Sequence, residues 1–463
     1  MTRSLSEKIG YGFGDMPTSM FWKIFSYYLP FFYSNIFGLS LIDAGVLVLV
    51  TRIWDAVSDP MMGIVADRTN TRWGKYRPYL LWMAPMFCIC GILLFTTPDM
   101  NYGGKLVWAY VTYILMMTVY TAINVPYGAM LGVMTDDSNE KTAYSSFRMF
   151  FAYGGSFIVL FFWEPLTNFM GGYDTPLGWL GAMVIAALAG LVLFVVCFMM
   201  THEHLKTVST VSVGNDFHAL LRNKPWWLLI GAALFFNLFN TIRGATVAYF
   251  FQDIIGRDVA MAFFGISFLF YAGLFLGVGE VCNMLGVASC VPIANRMGKK
   301  STFIMVNVLL VVFSVLFYFI PLTPEGFWMM LVAQVLISIL TGIVSPLVWS
   351  MYGDVSDYAE LEYKTASTGF IFSSSSMAQK FGGAIGGAAV LWLLSAFGYV
   401  TDVDQMSSGA VQPHEALQCL NWLMSLIPAA VAGLSVLVLW FYPLTTERIG
   451  EINNELRKIR SIE

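Results

Sequence analysis

The chain of 463 residues reads as an all-α membrane protein, with twelve transmembrane helices in two pseudo-symmetric six-helix bundles. Three observations predict this. Hydrophobic residues make up 57% and charged residues 12% of the chain, too apolar for a soluble surface and too long for one buried core. The apolar residues gather into twelve runs, each long enough to cross about 30 Å of hydrocarbon as a helix. Finally, three sequence echoes recur in the same order about 220 residues apart.

The expected spans lie at 17–37, 41–65, 79–97, 106–133, 146–169, 178–200, 226–255, 261–291, 302–321, 326–352, 367–397 and 417–442. The first carries Lys23, with Asp15 near its inner end. In the second, Asp55 and Asp59 are four residues apart, with Arg52 one turn earlier and Ser58 beside them. The fourth places Thr121 and Asn124 one turn apart ahead of Pro126, which frees backbone carbonyls at that depth. Arg148 opens the fifth span. Arg243 lies inside the seventh, Glu280 in the eighth and Trp349 in the tenth, while Lys380 stands alone in the eleventh. The third, sixth, ninth and twelfth spans carry no such candidate.

Lysine and arginine are retained on the cytoplasmic side of membranes. Of the 25, 18 fall in the termini and the even-to-odd connections, against Lys105 and Arg257 in the opposite set; the other five lie within spans. Both termini are therefore expected inside. No charged segment with a short apolar core and a cleavage site precedes the first span, so no cleaved leader is expected.

The echoes set the expected domains. "FFYSNIFG" (31–38) returns as "YFFQDIIG" (249–256), "ADRTNTRWGK" (66–75) as "ANRMGKK" (294–300), and "EKTAYSS" (140–146) as "YKTASTG" (363–369). They imply an N-terminal bundle over 1–202, a cytoplasmic linker over 203–225, a C-terminal bundle over 226–443 and a cytoplasmic tail over 444–463. Repeated halves of this kind put a binding site near mid-bilayer. The cysteines sit in or at the edge of apolar runs, where they read as small hydrophobes, and all four histidines lie outside the spans.

An ionised side chain at mid-bilayer costs at least about 2.5–3.5 kcal/mol on insertion scales, so a chain that keeps several uses them. Asp55 and Asp59 stack on one helical face. Two carboxylates so close repel unless a cation sits between them or one is protonated. Sodium wants hard oxygen ligands, which these carboxylates, Ser58 and a neighbouring hydroxyl supply; a proton needs only one carboxylate. The alternative is an Arg52–Asp55 bridge with Asp59 at the cytoplasmic end of the span. Thr121 and Asn124 serve either a ligand or helix packing, and Arg148 either the site or the cytoplasmic surface. Glu280 is a candidate partner for Arg243. Trp349 is the one named candidate for stacking on a sugar ring.

"KIGYGFGD" (8–15), "RIWDAVSDPMMGIVADRTNTRWGKYRP" (52–78), "TYILMMTVYTAINVPYGAML" (112–131) and "GDVSDYAE" (353–360), followed by Lys380 and "FGG", resemble the glycoside–pentoside–hexuronide:cation symporters. That family, which includes melibiose permease, belongs to the major facilitator superfamily. By this resemblance Asp55, Ser58, Asp59 and Thr121 hold the coupling cation, and Ser19, Asn124 and Arg148 meet the sugar. Lys380 ties the two sites together. Ser19 and Asn124 stand where galactoside-carrying members have carboxylates, which puts a galactoside in doubt. Counting buried charges gives Lys23, Arg52, Arg148, Arg243 and Lys380 against Asp15, Asp55, Asp59 and Glu280, a lean toward cations that suits a carboxylated sugar gripped by a guanidinium.

The expected function is therefore a cation-coupled symporter importing a sugar, glycoside or hexuronide across a bacterial inner membrane by alternating access. Its substrate contacts are expected among Asp15, Ser19, Asn124, Arg148, Arg243, Trp349 and Lys380. No cofactor is expected besides the coupling cation, sodium in preference to a proton, and the carrier is expected to be a monomer without nucleic-acid partners. Alternatives are a lysolipid carrier on the same scaffold and a non-transporting sugar sensor. An enzyme is not expected, since no membrane histidine, G-x-S-x-G elbow or H-E-x-x-H motif is present.

Overall fold

Helix follows helix along nearly the whole chain in the computed structural model, which describes residues 5–135, 138–204, 221–256, 270–363, 368–401 and 411–460. Residues 261–269 of the eighth expected span and 205–220 of the expected linker lie outside these. Helices α1 (Leu5–Lys23), α2 (Leu41–Arg68), α3 (Pro78–Leu94), α4 (Tyr102–Met134), α5 (Ser138–Met170) and α6 (Pro176–Met200) come first. They are followed by α7 (Lys224–Phe250), α8 (Tyr271–Met297), α9 (Lys299–Tyr318), α10 (Phe327–Tyr363) and α11 (Thr368–Ala396). Helix α12 runs from His414 to Met424 and resumes over Leu426–Trp440, and α13 (Thr446–Arg460) closes the series.

Among the described residues nine helices are long and apolar enough to cross a membrane. The three other expected spans are also helical: α3 has 17 residues, and α1 and α2 carry several of the charges singled out above. Helices outrun the apolar runs that announced them. Helix α1 begins at Leu5 rather than 17 and α10 continues to Tyr363 rather than 352, because backbone hydrogen bonding does not stop where hydrophobicity does. Side-chain caps start α2, α4 and α6. Ser40 Oγ accepts from Asp43 N at 3.1 Å, Asn101 Oδ1 from Gly104 N at 2.8 Å, and Thr175 Oγ1 from Gly178 N at 3.1 Å, each satisfying a donor that the first turn leaves open.

The first sequence echo has a structural counterpart. Helix α1 continues past Lys23 and widens into π-type turns at Ile24–Tyr28 and Phe32–Ile36, and α7 widens likewise at Phe251–Ile255. Both echoed segments end on a glycine with positive φ, Gly38 at 85° and Gly256 at 100°, a conformation that side-chain-bearing residues adopt at a cost.

Chain contacts divide the protein into two compact units, one of Met1–Ser209, Val247–Glu280 and Gly387–Leu417, the other of Thr210–Thr246, Val281–Gly386 and Gln418–Glu463. In the first, α1 packs on α5 and α6, α3 lies against α4 and α6, and α2 lies against α4. Its core is aromatic: Tyr28, Phe31, Phe32, Phe95 and Trp163 all meet the fully buried Trp179. Large rings bury much apolar area and lock their geometry. In the second unit α9 packs on α10 and α12, with α13 along α10.

Candidate functional site

Asp55, Ser58 and Asp59 occupy one face of α2, as their spacing requires, and that face meets α4 at Thr121. The Thr121 hydroxyl oxygen lies 3.0 Å from Asp55 Oδ1 and 3.1 Å from Asp59 Oδ1. Ser58 Oγ is 3.1 Å from the same oxygen and 3.0 Å from the Asp55 carbonyl. Asp55 is fully buried, and Ser58 and Thr121 nearly so. A hydroxyl has a single hydrogen to donate, so Thr121 serves one carboxylate at a time. Two carboxylate oxygens and two hydroxyl oxygens thus converge from two helices, a hard oxygen set suited to an alkali cation or, with fewer of them, a proton.

Arg52, one turn before Asp55 and its partner in the alternative reading, makes its described contacts with Ser26 and Trp22. Its Nη2 donates to Ser26 Oγ at 3.1 Å and its guanidinium lies 4.0 Å from the Trp22 ring centre, a cation–π contact. Arg148 does not reach for the surface. It lies inside α5 and donates from Nε to Asp15 Oδ2 at 2.9 Å and from Nη2 to Asp15 Oδ1 at 3.4 Å, a two-pronged grip that a planar guanidinium favours. Thr18 Oγ1 also donates to Asp15 Oδ1, at 3.0 Å. Ser19 and Asn124 are half-buried on α1 and α4.

Glu280 was the candidate partner of Arg243, and the structure corrects that pairing. Glu280 Oε1 takes the Lys23 ammonium at 2.5 Å. Arg243 donates instead to the Met424 carbonyl and, at 2.9 Å, to Gln334 Oε1, with its guanidinium 5.1 Å from the Phe317 ring centre. Carbonyl and amide oxygens here do what a carboxylate was expected to do. Trp349 is partly exposed on α10, edge-on to Tyr352 at 5.7 Å. Lys380 is half-buried on α11. All six cysteines are buried free thiols.

One anchoring residue escaped the sequence reading. The Glu203 carboxylate accepts the backbone N–H groups of Lys75, Tyr76 and Arg77 at 2.8, 2.7 and 2.7 Å, clamping the loop between α2 and α3. The Arg77 guanidinium donates to the Phe198 carbonyl at 2.9 and 2.7 Å. Burial pulls its pKa below the ordinary value, and the nearby Glu203 carboxylate pushes it back up. Gly74, at φ 115°, gives the clamp its room; a Cβ there would stand 2.4 Å from Glu203 Cδ. In the second unit Lys299 Nζ grips both oxygens of Asp354 at 2.7 Å.

Long apolar helices that hold buried ion pairs between them define a multi-pass membrane carrier. A family model described as MFS/sugar transport protein matches residues 10–446, and the chain belongs to that family, in its glycoside–pentoside–hexuronide:cation symporter branch. It is 34% identical over 442 residues to the isoprimeverose transporter of Lactiplantibacillus pentosus, covering 94% of this chain and 88% of that one. It is 31% identical over 456 residues to the inner membrane symporter YicJ of Escherichia coli (strain K12), covering 98% and 95%. A glucuronide carrier protein homolog of the same organism is 27% identical over 474 residues, covering 100% and 98%. Among solved structures, the nucleoside transporter NupG superposes with a TM-score of 0.64 at 12% identity, covering 95% of this chain and 100% of that one, which shows the major facilitator fold. Family and relatives are transporters, and the chain is not an enzyme.

Proposed function

We propose that this protein is a sodium-coupled symporter importing a sugar or glycoside by alternating access between two six-helix bundles, with both termini cytoplasmic. The observation that carries the coupling is the single Thr121 hydroxyl shared by Asp55 and Asp59. Sodium bound among Asp55, Ser58, Asp59 and Thr121 relieves the repulsion of the carboxylates and lowers the cost of ordering the site, so it raises sugar affinity. Linkage then requires the sugar to raise sodium affinity equally. Asp15, Ser19, Asn124 and Arg148 are proposed on the sugar path of the first unit. Arg243, Trp349 and Lys380 are proposed from the second, with Lys380 as the coupling residue on family resemblance.

The test is uptake into proteoliposomes across a panel of pentosides, hexosides and hexuronides. An inward sodium gradient at fixed pH should drive accumulation. Accumulation driven by an inward pH gradient and indifferent to sodium would assign the site to a proton instead, and binding without accumulation would make the protein a sensor.

A further inference from the structure

The Lys23–Glu280 pair is left unused by the cation site and by the family's sugar contacts. Glu280 is 3% exposed, and its Oε1 takes Lys23 while Oε2 is buried with no hydrogen-bond partner among the described residues. A buried carboxylate oxygen left without a donor is costly, and a ligand that brings a donor recovers that cost. Oε2 itself is closed off, and the partly exposed groups beside the pair are on α1. That helix is largely buried, yet Ser19, Trp22, Lys23, Ser26 and Tyr27 are half-buried, a stripe at helical spacing. Lys23 lies four residues, about 6 Å of helix rise, beyond Ser19. Tyr27 adds a hydroxyl 3.4 Å from Lys23 Nζ.

We propose that Glu280, held by Lys23, is a hydroxyl-accepting subsite that selects neutral glycosides over carboxylated ones. This rests on the reading of the chain as a sugar carrier. A neutral sugar offers hydroxyl donors to Oε2. A hexuronide brings a second carboxylate to an ammonium already neutralised. Arg148 offers it no better welcome, because the Asp15 carboxylate already neutralises it and takes two of its five N–H donors. The lean toward buried cations, which suited a carboxylated sugar in the sequence, is thereby cancelled in this unit by pairing.

The experiment measures binding of phenyl β-D-xyloside, phenyl β-D-glucoside, phenyl β-D-galactoside and phenyl β-D-glucuronide to the purified full chain, in wild type, Glu280→Gln and Lys23→Gln/Glu280→Gln. Wild type should prefer a neutral glycoside. Hydrogen bonds to charged groups have magnitudes equivalent to about ten- to a hundredfold in affinity, so Glu280→Gln should weaken the preferred neutral glycoside by that factor. The same variant should strengthen the glucuronide, because Lys23 is released. The double variant leaves no orphaned charge and carries the test even if the single one fails to fold. It should lose neutral-glycoside affinity without gaining the glucuronide.

A wild-type preference for the glucuronide overturns the proposal. So does an unchanged neutral-to-anionic ratio in the folded variants, the result expected of a helix tie. Failure of wild type to accumulate any sugar under any ion gradient would instead remove the broader reading, and this one with it.

Discussion

Replacing Thr121 by valine removes one hydroxyl and keeps the shape of the side chain. The two Oδ1 atoms, each within about 3 Å of that hydroxyl oxygen, stand no more than about 6 Å apart. Two unit charges at that distance repel by about 3 kcal/mol at an effective dielectric of 20. The hydroxyl offsets part of this through a charge-assisted hydrogen bond of about 1.5–3 kcal/mol, made to one carboxylate at a time. Without it the site loses one oxygen ligand and a donor within reach of both carboxylates. If the same interaction orders the sodium-bound site, the half-saturating sodium concentration for sugar uptake should rise about ten- to a hundredfold. Uptake at saturating sodium should stay near the wild-type rate, and Thr121→Ser should restore most of the affinity. The assay is initial sugar uptake into proteoliposomes over a sodium series at fixed pH and potential. A Thr121→Val carrier with an unchanged sodium dependence would refute the shared-hydroxyl argument.

Two further outcomes are expected. Asp59→Asn keeps volume and removes a charge, so gradient-driven accumulation should vanish while sugar binding stays measurable by thermal shift; full active transport would take Asp59 out of the coupling. Gly74→Ala places a Cβ against the Glu203 carboxylate in a backbone conformation that alanine resists, and should destabilise the first unit by about 1–3 kcal/mol. A melting temperature in detergent equal to wild type would show that the loop rearranges freely.

Periodicity made much of this protein legible. The i, i+4 spacing of Asp55 and Asp59 fixes a shared face whatever surrounds it, and an apolar run long enough to span declares a helix. Pairings between helices are not written in spacing. Arg148 finds Asp15 across 133 residues and Lys23 finds Glu280 across 257, so the count of buried charges treated as lone ions what the fold holds as dipoles. Arg243 was misread for a related reason: a guanidinium deep in an apolar helix suggests a carboxylate, but carbonyl and amide oxygens are invisible as partners in sequence. Glu203 left no signal beyond Gly74, because its work is done on backbone N–H groups, which every residue type carries.

The long-range ion pairs also impose an order on biogenesis. Helix α1 emerges with Asp15 and Lys23 in place before either partner, Arg148 or Glu280, is made. At about 2.5–3.5 kcal/mol for a charge at a helix centre, Lys23 makes it a poor candidate for stable residence in lipid on its own. Asp15 can be neutralised once α5 is synthesised, whereas Lys23 must wait until α8 delivers Glu280. Helix α1 is therefore among the last elements to be electrically complete, and a nascent chain stalled before residue 280 still lacks the carboxylate that pairs with Lys23.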